Sequence, residues 1–207
     1  MLIKVRRISL WVIVGAVLLC AVVPVMGQKI AIFVQAAAPV PTTDLELLQN
    51  YAQQHGAVIT GMQVSSTAEL MQAQRATNTY VGNTLSVEGI RRLANALDVD
   101  HIIIFRIVRW EDQLSFQPER SLLVLGATSF ADNSLKLLLS PLGILLGLQK
   151  EAIVGLFATV FSPNGDVEFT TSVTSADKPF LSLLTADPLE AAKQAIDKAL
   201  YQIAVTL

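Results

Sequence analysis

Leu97-Asp-Val-Asp-His-Ile-Ile-Ile-Phe-Arg-Ile-Val-Arg-Trp110 decides how this chain folds. Ile102-Ile103-Ile104-Phe105 is an unbroken apolar run, the pattern of a strand buried on both faces. Arg106, Ile107, Val108 and Arg109 then alternate, so the second half of the same strand, out to Trp110, is expected to be exposed on one side. A strand from Val99 to Trp110 is thus the long central member of a sheet.

Working upstream, Ser86 caps a helix that carries Ile90, Leu93, Ala94 and Leu97 at helical spacing, a face that has to be buried. Thr77 to Thr84, with Asn78, Gly82 and Asn83, has the composition of a loop. Ser66-Thr67-Ala68-Glu69 has the spacing of a capping box and opens a helix to about Ala76. Lys29 to Val34 is a short apolar strand, followed by an Ala/Pro-rich loop from Ala36 to Pro41. Thr43-Asp44-Leu45-Glu46 repeats the capping-box spacing and predicts a helix to about His55. Gly56 suits a left-handed C-cap, and Ala57 to Met62 reads as a further strand.

Downstream, Glu151 to Phe161 and Val167 to Val173 are strands joined by Ser162-Pro163-Asn164-Gly165-Asp166, a dense turn signal that predicts a hairpin. Val167, Phe169, Thr171 and Val173 alternate with Glu168, Thr170 and Ser172, which gives the second arm one inward and one wet face. Asp187-Pro188-Leu189-Glu190 combines a capping Asp, Pro at the first helical position and Glu three residues after the cap. The closing helix presents Leu189, Ala192, Ile196, Ala199, Leu200 and Ile203 as a stripe toward the sheet. The expected fold is α/β, a two- or three-layer sandwich. Its mixed sheet of about five strands has helices mostly on one side.

The ends and the charge bound the function. Lys4, Arg6 and Arg7 precede Ile8 to Val23, which holds no charge, the grammar of an export signal. Val25-Met26-Gly27 offers a signal-peptidase site before Gln28, so residues 1–27 are expected to be removed. The same segment is nearly long enough to remain as a membrane anchor. Cys20 as a lipid attachment site is a third reading, disfavoured by Leu19 before it. Without the leader's three basic residues, the 15 Lys and Arg fall to 12 against 17 Asp and Glu, an acidic body carrying about −5. With no basic cluster, nucleic acid is not an expected partner. Cys20 is the only cysteine, so the exported body, residues 28–207 read as one domain, has neither disulfides nor cysteine-ligated metal.

An insertion over residues 121–150 interrupts the α/β pattern. Leu135 to Leu148 is apolar around its whole circumference, with Leu137, Leu138, Leu139, Leu142, Ile144, Leu145 and Leu146 broken only by Ser140, Pro141 and Gly143. It is too short to span a bilayer as a helix. It can fold onto the domain, dip into a membrane or form an oligomer contact, since a bare apolar patch would be a liability.

Chemistry-bearing motifs are scarce. There is no Gly-x-Ser-x-Gly, no glycine-rich phosphate loop before a helix and no His-Glu-x-x-His. His55 is read as the last turn of its helix, where a cation suits the dipole. His101 with Asp98 and Asp100 can be read as metal ligands, but strand alternation separates them and a polar turn is preferred. No cofactor, metal or catalytic residue is therefore expected. Tyr80, in the loop before Ser86, and Arg109 with Trp110 are the candidate partner contacts, because Trp, Tyr and Arg are enriched at interface hot spots.

The order of elements carries a resemblance. A strand near the mature N-terminus, a helix, a second strand and a helix leading through Leu97-Asp98-Val99-Asp100-His101-Ile102-Ile103 are followed by Ala158-Thr-Val-Phe161, a Pro-Asn-Gly-Asp turn, Val167-Glu-Phe-Thr170 and a closing amphipathic helix. Over residues 29–110 and 151–205 this resembles the envelope α/β domain of curli-secretion lipoproteins. It also resembles the lipoprotein activators of penicillin-binding proteins and the N-terminal domain of the Tol β-propeller protein. The resemblance implies a non-catalytic periplasmic module that docks on an envelope protein or on itself. The runner-up is a membrane-associated, oligomeric component of a secretion or transport assembly; an exported hydrolase with an unrecognised site is a third class. The chain lacks the lipid-bearing cysteine of anchored members, and its insertion is helix-like where a barrel wall would alternate.

Overall fold

The computed structural model describes residues 27–82, 85–116, 148–178 and 186–207. In these, β1 (Lys29–Ala36), α1 (Thr42–Thr60), β2 (Gln63–Val64), α2 (Thr67–Thr77) and α3 (Val87–Leu97) lead into the long strand β3 (His101–Phe116). β4 (Leu148–Phe161), β5 (Val167–Asp177) and α4 (Pro188–Thr206) complete the described elements. The five strands form one open, mixed sheet in the order β2-β1-β3-β4-β5. β1 runs parallel to β2 and β3, whereas β3, β4 and β5 are antiparallel neighbours. The α/β class and the five-stranded mixed sheet are those expected from sequence.

The two faces of the sheet carry different covers. On one, Ile30, Ile32, Ile103, Phe105, Ile107, Val154, Leu156, Ala158 and Val160 pack under α1 and α4. On the other, Ala31, Phe33, Ile102 and Ile104 pack under Leu70 and Ala73 of α2 and Ile90, Leu93 and Leu97 of α3. Helices thus lie two and two, not mostly on one side. The reason is the Ile102–Phe105 run itself, which sends apolar side chains to both faces and needs both covered.

Local signals set most element ends. Ser66 and Glu69 form a reciprocal capping box on α2, Ser86 Oγ accepts from Gly89 N on α3, and Asp187 accepts from Leu189 N with Pro188 at the first position of α4. Asp98 closes α3 in the left-handed conformation. Beyond its short pairing with β2, β1 is satisfied by a side chain: Gln49 accepts from Val34 N and donates to Ile32 O, both at 2.8 Å, in place of a neighbouring strand.

Several boundaries differ from expectation. The helix read to end at His55 continues to Thr60 and is capped by Gly61 at φ 69°, so the expected strand Ala57–Met62 is helix and β2 is only two residues. Leu48, Ala52 and Gly56 form one buried stripe at four-residue spacing, so Gly56 serves close packing and not termination. A Cβ built there meets Ile32 Cδ1 at 2.3 Å. The capping box at Thr43 does not form either; Pro41 precedes the helix without a side-chain cap. β3 reaches Phe116 and β4 starts at Leu148, so residues 148–150 of the expected insertion are strand. Residues 121–147 of that insertion, with its seven candidate contact residues, and Met1–Met26 of the leader lie outside the described residues. Val167 is exposed, because a register shift between Val160 and Phe161 sets Val167 and Phe169 on opposite faces.

Two glycines report the packing directly. Gly56→Val is expected to lose about 1–3 kcal/mol of stability in chemical denaturation, since the side chain enters a filled core at Ile32. Gly165, at φ 88° in the hairpin turn, would place a Cβ 2.8 Å from the Val87 carbonyl oxygen. Gly165→Ala should therefore cost on the order of 1–3 kcal/mol, through backbone strain and contact together.

Candidate docking face

Four strands contribute one residue each to rows across the face that α2 and α3 cover in part. Phe33, Ile104, Thr159 and Thr170 form one row, and Gln35, Arg106, Phe157 and Ser172 form the next. The helices lie over β1 and the first half of β3 and stop there, because their apolar stripes are matched to Ala31, Phe33, Ile102 and Ile104. Phe157 is left 45% exposed in the middle of the second row. Gly82 and Leu85, from the connection between α2 and α3, wall one side. A cavity of about 430 Å³ results, lined also by Gln35, Ile104, Arg106, Phe157, Thr159, Phe161 and Thr170.

Arg106 is the unusual group in this groove. Its Nε is buried and has no hydrogen-bond partner among the described residues. A buried donor left unmade costs about 1–3 kcal/mol. Arg109 is different: Nη2 donates to Glu111 Oε2 at 2.7 Å, and Gln113 Nε2 donates to the same oxygen. The Arg109 hydrogen bond holds the Glu111 carboxyl below the usual carboxylate range.

A β-bulge assigns the predicted contacts to faces. The register shifts between Ile107 and Arg109, so Val108 is extra and the alternation reverses beyond it. Arg109 then pairs with Gly155 on the uncovered face, while Trp110 turns to the other face and packs, partly buried, against the core under α1 and α4. Tyr80 is 62% exposed on the connection that walls the groove. Tyr80 and Arg109 therefore share a side of the molecule with the groove and Trp110 does not. Sequence reading missed Gln35, Arg106, Phe157 and Phe161. Their signal was present only as strand alternation, and which side stays bare depends on where helices end.

The other polar clusters have structural partners. Asp100 accepts from Lys29 N at 2.8 Å, His101 Nδ1 lies 2.7 Å from Glu168 Oε2, and Asp98 is the helix cap, so the three members of the metal-like run face three different tasks. No group of three potential metal ligands exists among the described residues, and no helix among them is long and apolar enough to cross a membrane. His55 lies within α1, not in its last turn. It stacks on Tyr51 at 3.9 Å and its Nδ1 is 3.0 Å from Asp197 Oδ1 of α4, a close approach without hydrogen-bond alignment. Tyr51 donates to Asp197 Oδ2 at 2.8 Å. Burial first, then that hydrogen bond and the charges of Asp197 and Glu190, push the Tyr51 phenol well above its ordinary range.

No protein-family model matches this chain, and no curated protein is similar to it. Solved structures similar to it include the lipoprotein GNA1162 from Neisseria meningitidis, 11% identical, with 86% of this chain and 99% of that one covered at a TM-score of 0.47. The hypothetical protein CT253 from Chlamydia trachomatis is 7% identical over 86% of this chain and 97% of its own, at 0.49. The LpoB C-terminal domain from Salmonella enterica is 6% identical over 72% and 82%, at 0.40.

The Tyr51 arrangement makes a pH prediction. A phenol whose folded value is raised keeps its proton where the unfolded chain has lost it, so its stabilisation is complete below about pH 10 and is lost as pH rises beyond. Stability followed by denaturant midpoint should fall more steeply above about pH 10 in the parent than in Tyr51→Phe. That variant should itself lose about 1 kcal/mol near neutrality.

Proposed function

We propose that this chain is a non-catalytic module of the bacterial cell envelope, exported by its N-terminal segment and acting by contact with another envelope protein. The observation that carries the reading is the half of the sheet beyond α2 and α3: Phe157 and Arg106 stand side by side in a groove that the helices among the described residues leave open. An exposed aromatic next to an arginine at the centre of a concave surface is the composition of an interface hot spot. Tyr80 and Arg109 belong to the rim of the same surface in this reading, and the body of the chain, residues 28–207, acts as one domain. The likeness in element order to curli-secretion lipoproteins, penicillin-binding-protein activators and the Tol propeller's N-terminal domain supports a docking role. Metal and cofactor have no part in it.

A second reading has its own observation. Phe116 pairs with Leu148 at the end of the β3–β4 ribbon remote from α2 and α3, and the leucine-rich stretch lies between these two strands in the sequence. A membrane-associated assembly component would use Leu137, Leu138, Leu139, Leu142, Ile144, Leu145 and Leu146 from that end as its contact with lipid or with other copies. Detergent-dependent solubility that disappears on deletion of residues 121–147 favours this second reading over the first.

The test of the docking reading is affinity capture of the tagged full-length chain from envelope extracts. Phe157→Asp should abolish recovery of the partner, a loss of about 2 kcal/mol or more. Val58→Asp, on the outer surface of α1 where Val58 is 83% exposed, should leave it unchanged. Equal recovery with Phe157→Asp, or the full-length chain in the cytosolic fraction, overturns the reading.

A further inference from the structure

We propose that the groove over Arg106 binds a free amphiphilic carboxylate, an organic acid with an apolar body and a single carboxyl group. The proposal uses the same uncovered face as the docking reading and names a different occupant for its deepest part. Arg106 lines the groove beside Phe157 and Thr159, and its Nε is buried without a partner among the described residues. A guanidinium is a planar fork of donors that matches a carboxylate edge on, and burial strengthens such charge-assisted bonds. Phe157 and Phe161 supply the apolar lining, and the Thr159 and Thr170 hydroxyls border it. The cavity of about 430 Å³ falls within the range that holds small organic ligands.

The charge of the ligand follows from the neighbours. Arg109 on the adjoining row is already engaged by Glu111, and that carboxylate opposes any second negative charge nearby. A monoanion therefore fits, whereas a dianionic phosphate finds no basic residue besides Arg106 in the described groove lining. An amine or a metal ion would meet Arg106 as a like charge.

Calorimetric titration of the full chain with decanoate, and with decanol as the neutral control, tests the assignment. Decanoate should bind saturably at one site, and decanol roughly tenfold more weakly or less. Arg106→Gln should weaken decanoate by about tenfold or more. Thr159→Trp, which fills the groove and leaves Arg106 in place, should abolish binding and decides the matter if Arg106→Gln fails to fold. Absence of saturable decanoate binding, equal binding by the folded Arg106→Gln protein, or equal binding of decanol overturns the proposal. Decanoate failing to bind while Phe157→Asp still abolishes partner capture removes the ligand and leaves the docking reading standing. Binding of decanoate with partner capture indifferent to Phe157→Asp does the reverse.

Discussion

Burial of β3 on both faces over Ile102–Phe105 is the constraint from which the rest of this structure follows. Each of these side chains contributes about 1.5–3 kcal/mol when fully withdrawn from water, and because they alternate between the two faces all four are withdrawn only when both faces are roofed. α1 and α4 roof one face across the sheet, helped by small residues such as Ala52, Gly56, Ala192, Ala195 and Ala199 that let helix and sheet approach closely. α2 and α3 roof the other, but their stripes span only β1 and the first half of β3. The groove is what remains where the second roof ends.

The bulge at Val108 separates the two functions of the long strand. From Ile102 to Phe105 β3 is core on both sides, and Arg106 already faces the groove; beyond the bulge the alternation reverses and the strand sends Arg109, Glu111 and Gln113 to the face with the groove and Trp110 to the one under α1 and α4. A one-residue insertion in a ladder exchanges the faces of everything after it. Arg109 and Trp110, as neighbours in one strand, face opposite sides in any case; the exchange decides that Arg109 and not Trp110 takes the side with the groove.

Polar residues also tie distant elements together. Asp100 accepts the amide of Lys29 at the start of the β1–β3 pair, Gln49 serves the free edge of β1, and Tyr51 reaches Asp197 across the two helices of the broad roof. Arg106 stands apart from this pattern, since its buried nitrogen is served by none of the described residues.

Local chemistry made much of the layout legible in one dimension. The capping signals at Ser66, Ser86 and Asp187, the Pro-Asn-Gly turn and the apolar run of β3 each act within a few residues, so their reading needs no knowledge of distant chain. Gly56 misled because a glycine can be demanded either by its own φ or by a neighbour's side chain, and only the position of Ile32 in space distinguishes the two. The same holds for the site. Sequence alone determined that a half-exposed strand with two arginines adjoins the core. Tertiary structure alone decided which arginine keeps a buried nitrogen that no described residue serves and which face the described helices cover only in part, because helix cover and the bulge are properties of how elements meet.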